Sequence, residues 1–318
     1  VQGPRHAAAA LMAVRWPWGR RGARRAVPRH VDASNLRVPG EAWSTREAFL
    51  AVREGSGHER LKAQWQMRVQ LPIALGEEGL SGLCPLCGVR VTFGVPGDPA
   101  SFDVREGLAC ARCGVNARMR QALSLLLDGL DPTTARVYLT EQASPGFVWL
   151  QQQVANARGS EFGLDPARRA RLQRWFHDLG GQGELDEADI TALADADASV
   201  DAIGCFDVLE HVPDYRAALR EFARVLAPGG RLVITVPFLE TEQATLVRAR
   251  LGDDGSVEHL EPEEIHGDPV SGGVLCFYHF GWDLLDALRD AGFRHAEWIR
   301  SFAPEYGLYG PWALRAHR

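Results

Sequence analysis

From about residue 135 the chain alternates short apolar runs with segments whose apolar residues recur every three or four positions. Arg136–Thr140 (RVYLT) is a run of strand length, followed by the turn Ala-Ser-Pro-Gly and a helix-like stretch from Phe147 to Ala155. Ser160–Phe162 closes a brief second strand. Asp165 and Pro166 open a helix with Leu172, Phe176 and Leu179 at helical spacing, the proline in a favoured first-turn position. Ser199–Phe206 (SVDAIGCF) reads as a buried strand. Tyr215, Leu219, Phe222 and Leu226 mark one face of a helix ended by Pro228-Gly229-Gly230. Arg231–Val236 is a clear strand, Phe280 to Ala291 a helix ended by Gly292, and Phe293–Ile299 a further strand. Such alternation predicts right-handed crossovers and a largely parallel sheet covered on both faces. In sheets of this kind ligands sit at the carboxyl ends of the strands.

Upstream the informative residues are cysteines. Cys84 and Cys87, and Cys110 and Cys113, form two CxxC pairs separated by 22 residues, with Gly88 and Gly114 following each pair. Two such knuckles suit tetrahedral Zn2+ held by four thiolates, a closed structural site. Val89–Phe93 and Ser101–Val104 alternate like the strands of a zinc ribbon around GVPGDP. Two disulfides would need an oxidising compartment that nothing in the sequence signals. Cys205 and Cys276, in apolar surroundings, read as buried small hydrophobes.

Charge is spread unevenly along the 318 residues, whose net formal charge is −6. Residues 1–120 hold 18 basic and 10 acidic side chains, the remainder 17 and 31. Lys62 is the only lysine, so the arginine bias reflects coding more than phosphate binding. The acidic balance after residue 120 argues against a long nucleic-acid groove there. Arg20, Arg21, Arg24 and Arg25 lie in a stretch without acids, expected to be a flexible basic arm over 1–40. At 46% hydrophobic the chain can bury a real core, and no apolar run approaches the ~18 residues of a bilayer span. A cytoplasmic protein with no membrane partner is the expectation.

The run FDVLEHVPDYRAALREFARVLAPGGRLVITVPF (Phe206–Phe238) resembles the second half of class I S-adenosylmethionine-dependent methyltransferases, type 11-like. The resemblance spans residues 121–318. It implies an α/β fold: a Rossmann-like methyltransferase sheet with helices on both faces, preceded here by a helical segment (41–80) and a small zinc ribbon (81–120). It also implies S-adenosylmethionine as cofactor. The family's first loop carries an acid and a GxGxG turn, whereas this chain has Glu141-Gln142-Ala143-Ser144-Pro145-Gly146, with one glycine. Either cofactor binding is lost, or the small residues Ala143 and Ser144 stand where glycines usually do; the acids retained downstream favour the second. Glu161 matches the acid that accepts the ribose hydroxyls, Asp189 (with Ile190 beside it) the acid at the adenine amino group, and Asp207 the acid beside the methionine end. Glu161 as a solvated helix-end acid and Asp189 as one charge in an acidic loop are the plainer alternatives.

Three histidines fall where loops should crowd such a cofactor: His211, His266 and His279. A histidine titrates near neutrality and would serve as general base for an oxygen acceptor. His211 belongs to the family's common motif, where shaping the site is the competing role. His266 and His279 lie in an insertion over 239–279, placed where substrate lids are built. A metal site from His259, Glu263, His266 and Asp268 competes there with an ordinary polar lid, and Phe277, Tyr278 and Trp282 either line an aromatic pocket or pack the core. Asn116, Arg118 and Arg120 either bind an anion or cap the ribbon and pair with the acidic half. Trp43 and Trp65 sit in helix-like stretches, Ser44–Glu47 reading as a capping box; these helices either pack over the cofactor site or make a homodimer. The expected activity is methyl transfer to a small-molecule or sugar-like acceptor, most readily at oxygen. The alternatives are an RNA methyltransferase that grips RNA through the ribbon, and a catalytically decayed binding module.

Overall fold

A computed structural model describes residues 36–55, 60, 63–74, 76–77, 79–95, 104–267, 270 and 272–318. Most of the expected basic arm, including Arg20, Arg21, Arg24 and Arg25, lies outside them, as do Lys62 and Asp268. The described chain begins with β1 (Glu41–Trp43), α1 (Arg46–Arg53), and a π-helical turn (Gln66–Gln70) running into α2 (Leu71–Ala74). A small three-stranded sheet follows: β2 (Gly79–Cys84), β3 (Val89–Gly94) and β4 (Ala109–Cys110). Then come α3 (Ala117–Leu127), β5 (Arg136–Leu139), α4 (Pro145–Gln153), β6 (Asn156–Gly159), α5 (Pro166–Asp178), β7 (Val200–Phe206), α6 (Tyr215–Val225) and β8 (Leu226–Thr235). The insertion holds β9 (Leu246–Val247), β10 (Ala249–Leu251), β11 (Val257–His259), β12 (Ile265–His266), β13 (Val274–Leu275) and β14 (Tyr278–His279). The chain ends in α7 (Leu284–Ala291), β15 (His295–Ala303) and β16 (Leu308–His317).

The main sheet has the order β1-β15-β16-β8-β7-β5-β6. β6, β5, β7 and β8 are mutually parallel, and β16 runs antiparallel between β8 and β15. Strand side chains alternate between two apolar clusters, one on each face. Val137, Leu139, Ala202, Val233 and Ile299 face the cluster with Leu123, Phe147 and Phe176 of α3, α4 and α5. Tyr138, Ile203, Leu232, Ile234 and Trp298 face the cluster with Leu219 and Leu288 of α6 and α7. Alternation on a period of two with helices on both sides is what makes the sheet two-faced and buried. Gly204 in β7 has a packing reason, since a Cβ there would stand 2.4 Å from Leu139 Cδ1.

Several elements differ from the sequence expectation. The second strand is Asn156–Gly159, a short polar edge strand, and Ser160–Phe162 follows it. Trp43 lies on an edge strand paired with β15, and the cap of α1 is Thr45, which accepts from Ala48 N–H, in place of a box begun by Ser44. α6 ends at Val225, so Leu226 belongs to β8, and α7 starts at Leu284 with Phe280 in a strand bridge to Phe238. The third ribbon strand is Ala109–Cys110, while Val104 lies in a turn and 101–103 fall outside the described residues. α1 packs through Phe49 on Trp312 and Trp282 at the β15–β16 edge.

The cysteine-bearing sheet shares a core with the main one: Cys84, Leu86, Phe93 and Leu108 belong to the same cluster as Leu123 and Phe147. Arg120 of α3 is fully buried at that junction. Its guanidinium donates to the Leu108, Val115 and Gly307 carbonyls and lies 4.1 Å from the Phe93 ring centroid. Arg120 is therefore a tie between the small sheet and the β15–β16 turn, and the capping reading of this arginine holds.

Candidate active site

The carboxyl ends of β5, β6, β7 and β8 present Glu141, Glu161, Asp207 and Thr235. Glu141 is the least compensated. Its Oε1 is buried and without a hydrogen-bond partner among the described residues. Burial raises its carboxyl well above the usual range; Arg118 opposes that, and the charges of Asp207 and Glu161 add to it.

The loop after β5 needs no left-handed backbone, since no residue from Glu141 to Gly146 has a positive φ. Ser144 caps α4, accepting from Phe147 N–H at 3.1 Å and donating to the Glu141 carbonyl. Ala143 N–H donates to Glu161 Oε1 at 2.6 Å, while Trp175 Nε1 donates to the Ala143 carbonyl at 3.0 Å. A Cβ on Gly146 would rest at ordinary contact distance from Met119, 3.4 Å. Small side chains and a serine cap thus give this loop its shape, and the glycine-poor sequence is compatible with it. Asp189 is exposed and closes its own turn, its Oδ1 accepting from Thr191 N–H at 2.8 Å and Thr191 Oγ1 at 2.6 Å, while Ile190 is buried in the α6 and α7 cluster.

Asp207 ends β7 with φ 52°, a left-handed conformation that costs a non-glycine residue about 1 kcal/mol. Its carboxylate receives Arg105 Nη2 at 2.7 Å on both oxygens, Arg118 Nε at 3.0 Å and Thr235 Oγ1 at 3.0 Å. Burial pushes Asp207 upward, but Arg118 and Arg105 outweigh it and hold the carboxyl below its ordinary value. Arg118, itself buried, also pairs with Glu106 at 2.8 Å, and Asn116 donates to Glu106 at 3.0 Å while capping α3. These three residues pair with acids, a cap and carbonyls. Arg105 and Thr235 carried no sequence signal, since Arg105 meets Asp207 across 102 residues.

The insertion brings histidines over the same strand ends. His211 Nδ1 lies 2.8 Å from the Leu275 carbonyl, which can only accept, so Nδ1 carries a proton and donates it. His266 packs edge-on against His211, with ring centroids 5.0 Å apart. Glu210 is fully buried between them, its Oε1 3.6 Å from His266 Nδ1 and 3.8 Å from His211 Nε2. The Cys276 thiol and the Glu210 and Glu264 carboxyls favour positive charge on His266, burial opposing them, and its pKa is pushed up to about 11. The neighbours of His266 thus favour a proton on its ring. His279 stands on the far side of Glu264, Nε2 to Oε1 at 3.0 Å. His259 and Glu263 make a separate pair at 3.9 Å, so of the three described residues considered for a lid metal His266 alone joins the convergent group, Asp268 lying outside the described residues. Phe277, Trp282 and Tyr278 pack with the core, Tyr278 against Tyr215 and Phe280.

The four ribbon cysteines converge. Their Sγ atoms all lie within 4.8 Å of one another, with Cys84 to Cys113 and Cys87 to Cys110 each 3.9 Å, and none is in a disulfide. A tetrahedron of thiolates about 2.3 Å from Zn2+ has an edge of about 3.8 Å, so the thiols as placed fit that ion. The positive φ at Gly88 and Gly114 shows why a glycine follows each knuckle.

Residues 143–234, from the loop after β5 to the penultimate residue of β8, match the family described as "Methyltransferase domain". Among curated proteins the chain is similar to Methyltransferase GfsG of Streptomyces halstedii, 36% identical over 148 residues, covering 46% of this chain and 50% of that protein. It is also similar to Ubiquinone biosynthesis O-methyltransferase of Xanthomonas oryzae, 48% identical over 123 residues, or 39% of this chain and 45% of that one. The chain thus spans half or less of these relatives' length. Among solved structures it resembles the 1,6-didemethyltoxoflavin-N1-methyltransferase of Burkholderia thailandensis, with 21% identity, a TM-score of 0.36, and coverage of 64% of this chain and 78% of that one.

Proposed function

We propose that this chain, whose residues 143–234 match a methyltransferase domain, binds S-adenosylmethionine at the carboxyl ends of β5 to β8 and methylates an oxygen of a small-molecule or sugar-like acceptor. The observation that carries the reading is Glu141 Oε1: a buried acid oxygen at the carboxyl end of β5, without a hydrogen-bond partner among the described residues. S-adenosylmethionine, when bound, supplies a methyl group already activated on a sulfonium. The protein then has to hold the acceptor in line and exclude water.

Glu141 and Asp207 would flank the methionine end, with Glu161 at the ribose. Asp189, whose Oδ1 closes its own turn, would offer Oδ2 to the adenine amino group, and Ile190 beside it would supply apolar wall. His211, with Nε2 as acceptor, would take the acceptor's hydroxyl proton, and Glu210 beside it would stabilise the imidazolium. Structural Zn2+ on Cys84, Cys87, Cys110 and Cys113 would hold the small sheet, and with it the turn before β4 from which Arg105 reaches Asp207. Reduced thiols suit a cytoplasmic setting. The arginines of α3 lend a nucleic-acid acceptor no support, because Arg118 and Arg120 are buried and bonded within the protein.

Isothermal calorimetry of the full chain with S-adenosylmethionine and its demethylated product tests the reading. Saturable heat that one ligand competes away from the other is expected. No heat with either would leave a zinc-stabilised binding module.

A further inference from the structure

The insertion gathers a second set of metal-ligating groups, apart from the four ribbon cysteines: Glu264, His266, Cys276 and His279, whose donor atoms all lie within 4.8 Å of one another. The β-ladders put them there. β12 pairs with β13 so that Ile265 faces Leu275 and His266 faces Val274, and Cys276 N–H donates to the Glu264 carbonyl at 2.9 Å. β14 then carries His279 back to the same point.

The orientation of the donors is specific. Both His266 Nε2 and His279 Nε2 point at one oxygen, Glu264 Oε1, at 2.9 and 3.0 Å. The other oxygen, Glu264 Oε2, is held by Arg248 Nη2 at 3.1 Å, so the carboxylate is turned to offer Oε1 alone. On the outer side of the His266 ring, Nδ1 faces the buried Glu210, neither of whose oxygens has a hydrogen-bond partner among the described residues. A ligating histidine whose second nitrogen is backed by a carboxylate is the usual outer arrangement of metal sites. Left as an ordinary polar cluster, this half-buried group would keep the fully buried Glu210 carboxyl beside it without a hydrogen-bond partner among the described residues.

We propose that Glu264, His266, Cys276 and His279 bind a Zn2+ ion that clamps the insertion over the active site. Two imidazoles, one thiolate and one monodentate carboxylate are a borderline-soft, four-donor set that suits tetrahedral Zn2+ better than Mg2+ or Ca2+, which take oxygen donors. Bonds of about 2.0–2.1 Å make N–O edges of about 3.3 Å, so the ion spreads the present 2.9 and 3.0 Å contacts by a few tenths of an ångström. All four positions are filled by protein, which makes the ion structural: it fixes His266, and hence His211 packed on its edge. The proposal does not rest on the methyltransferase reading, because its readout is metal content.

The test is zinc per chain, by plasma mass spectrometry, in dialysed full-length protein and in Cys276→Ala and His279→Ala, each checked for folding by circular dichroism. Each lid variant is expected to lose one equivalent relative to the unmodified chain, while Cys84→Ser loses a different one and leaves the lid ion. Unchanged zinc in both folded lid variants overturns the proposal. Should those variants not fold, zinc-edge X-ray absorption of the unmodified chain decides: a nitrogen and oxygen shell beside sulfur supports the lid site, and sulfur scatterers alone refute it.

Discussion

Arg105 Nη2 stands 2.7 Å from both carboxylate oxygens of Asp207, so a residue next to the cysteine-bearing sheet grips the acid that ends β7. Both side chains are partly solvated, at 33% and 23% exposure, which places the pair below the ~3–5 kcal/mol lost when one partner of a buried ion pair is removed. Arg105→Ala should cost about 1–2 kcal/mol of stability by urea unfolding. Asp207→Asn tolerates the left-handed backbone and isolates the charge. The double mutant should then show a coupling of about 1 kcal/mol. Because the folded carboxyl is held low, its contribution is present above the ordinary carboxylate pKa and fades as pH falls through the folded value. Asp207→Asn should therefore flatten the acid limb of the stability curve. A coupling near zero would show the contact to be electrostatically idle.

Arg120 makes a sharper structural prediction. Removing its guanidinium leaves the Leu108, Val115 and Gly307 carbonyls unpaired in a buried junction. Arg120→Ala should cost about 2–4 kcal/mol, more than most surface changes, with the urea midpoint falling. A loss under about 1 kcal/mol would mean water replaces the side chain there.

The parts of the fold legible in the sequence were those with a buried alternation. RVYL, VDAIGCF and RLVIT each feed both apolar clusters, and Tyr215, Leu219 and Phe222 mark the buried face of α6. What escaped did so for physical reasons. β6 is an edge strand whose Arg158 lies over the Tyr138 ring, so it needs no apolar run. β16 contains Gly310 and Pro311 and ends in arginine and histidine, which mask its period-two pattern; Gly310 takes a left-handed φ of 87° where β15 shifts register against it. Within the site, Glu141 and Asp207 were visible by position, each after an apolar run, whereas Glu161 after the polar β6 was reached only through the family resemblance. The arginines on Asp207 and the convergence of Glu264 with Cys276 were not visible, because both depend on contacts made by ladders and docking that no local pattern encodes. Cys276 is buried as expected, yet its neighbours are ligands as much as hydrophobes.

Glu141 is expected to trade stability for binding. Its folded carboxyl is raised, so protonation favours the fold: the penalty is absent below the unfolded pKa and grows as pH rises toward the folded value. Glu141→Gln should stabilise the protein at pH 7 by about 1 kcal/mol, with the gain vanishing below about pH 4. The same substitution should weaken S-adenosylmethionine binding. Stability and affinity that both stay unchanged would remove Glu141 from the site.

His211 should separate chemistry from binding. His211→Gln keeps a donor for the Leu275 carbonyl but offers no basic nitrogen. Turnover is expected to fall about 10²–10⁴-fold, the usual worth of a general base, with cofactor affinity within about twofold of the parent. A KM effect with kcat intact would make His211 a positioning residue.

Glu161 carries two roles that one substitution would confound. Its Oε1 accepts the Ala143 N–H at 2.6 Å and so braces the loop after β5, whichever ligand binds. Glu161→Ala removes the brace and the proposed ribose acceptor together. Cofactor affinity should weaken by about 1–3 kcal/mol, roughly 5–150-fold, along with some loss of stability. Glu161→Gln keeps a carbonyl oxygen for Ala143 but has lost a full carboxylate, so two ribose hydroxyls can no longer both donate to it. The glutamine variant should fold like the parent and still bind about tenfold more weakly by calorimetry. If it binds as the parent does, the carboxylate serves the loop alone, and the nucleoside must be held by other groups.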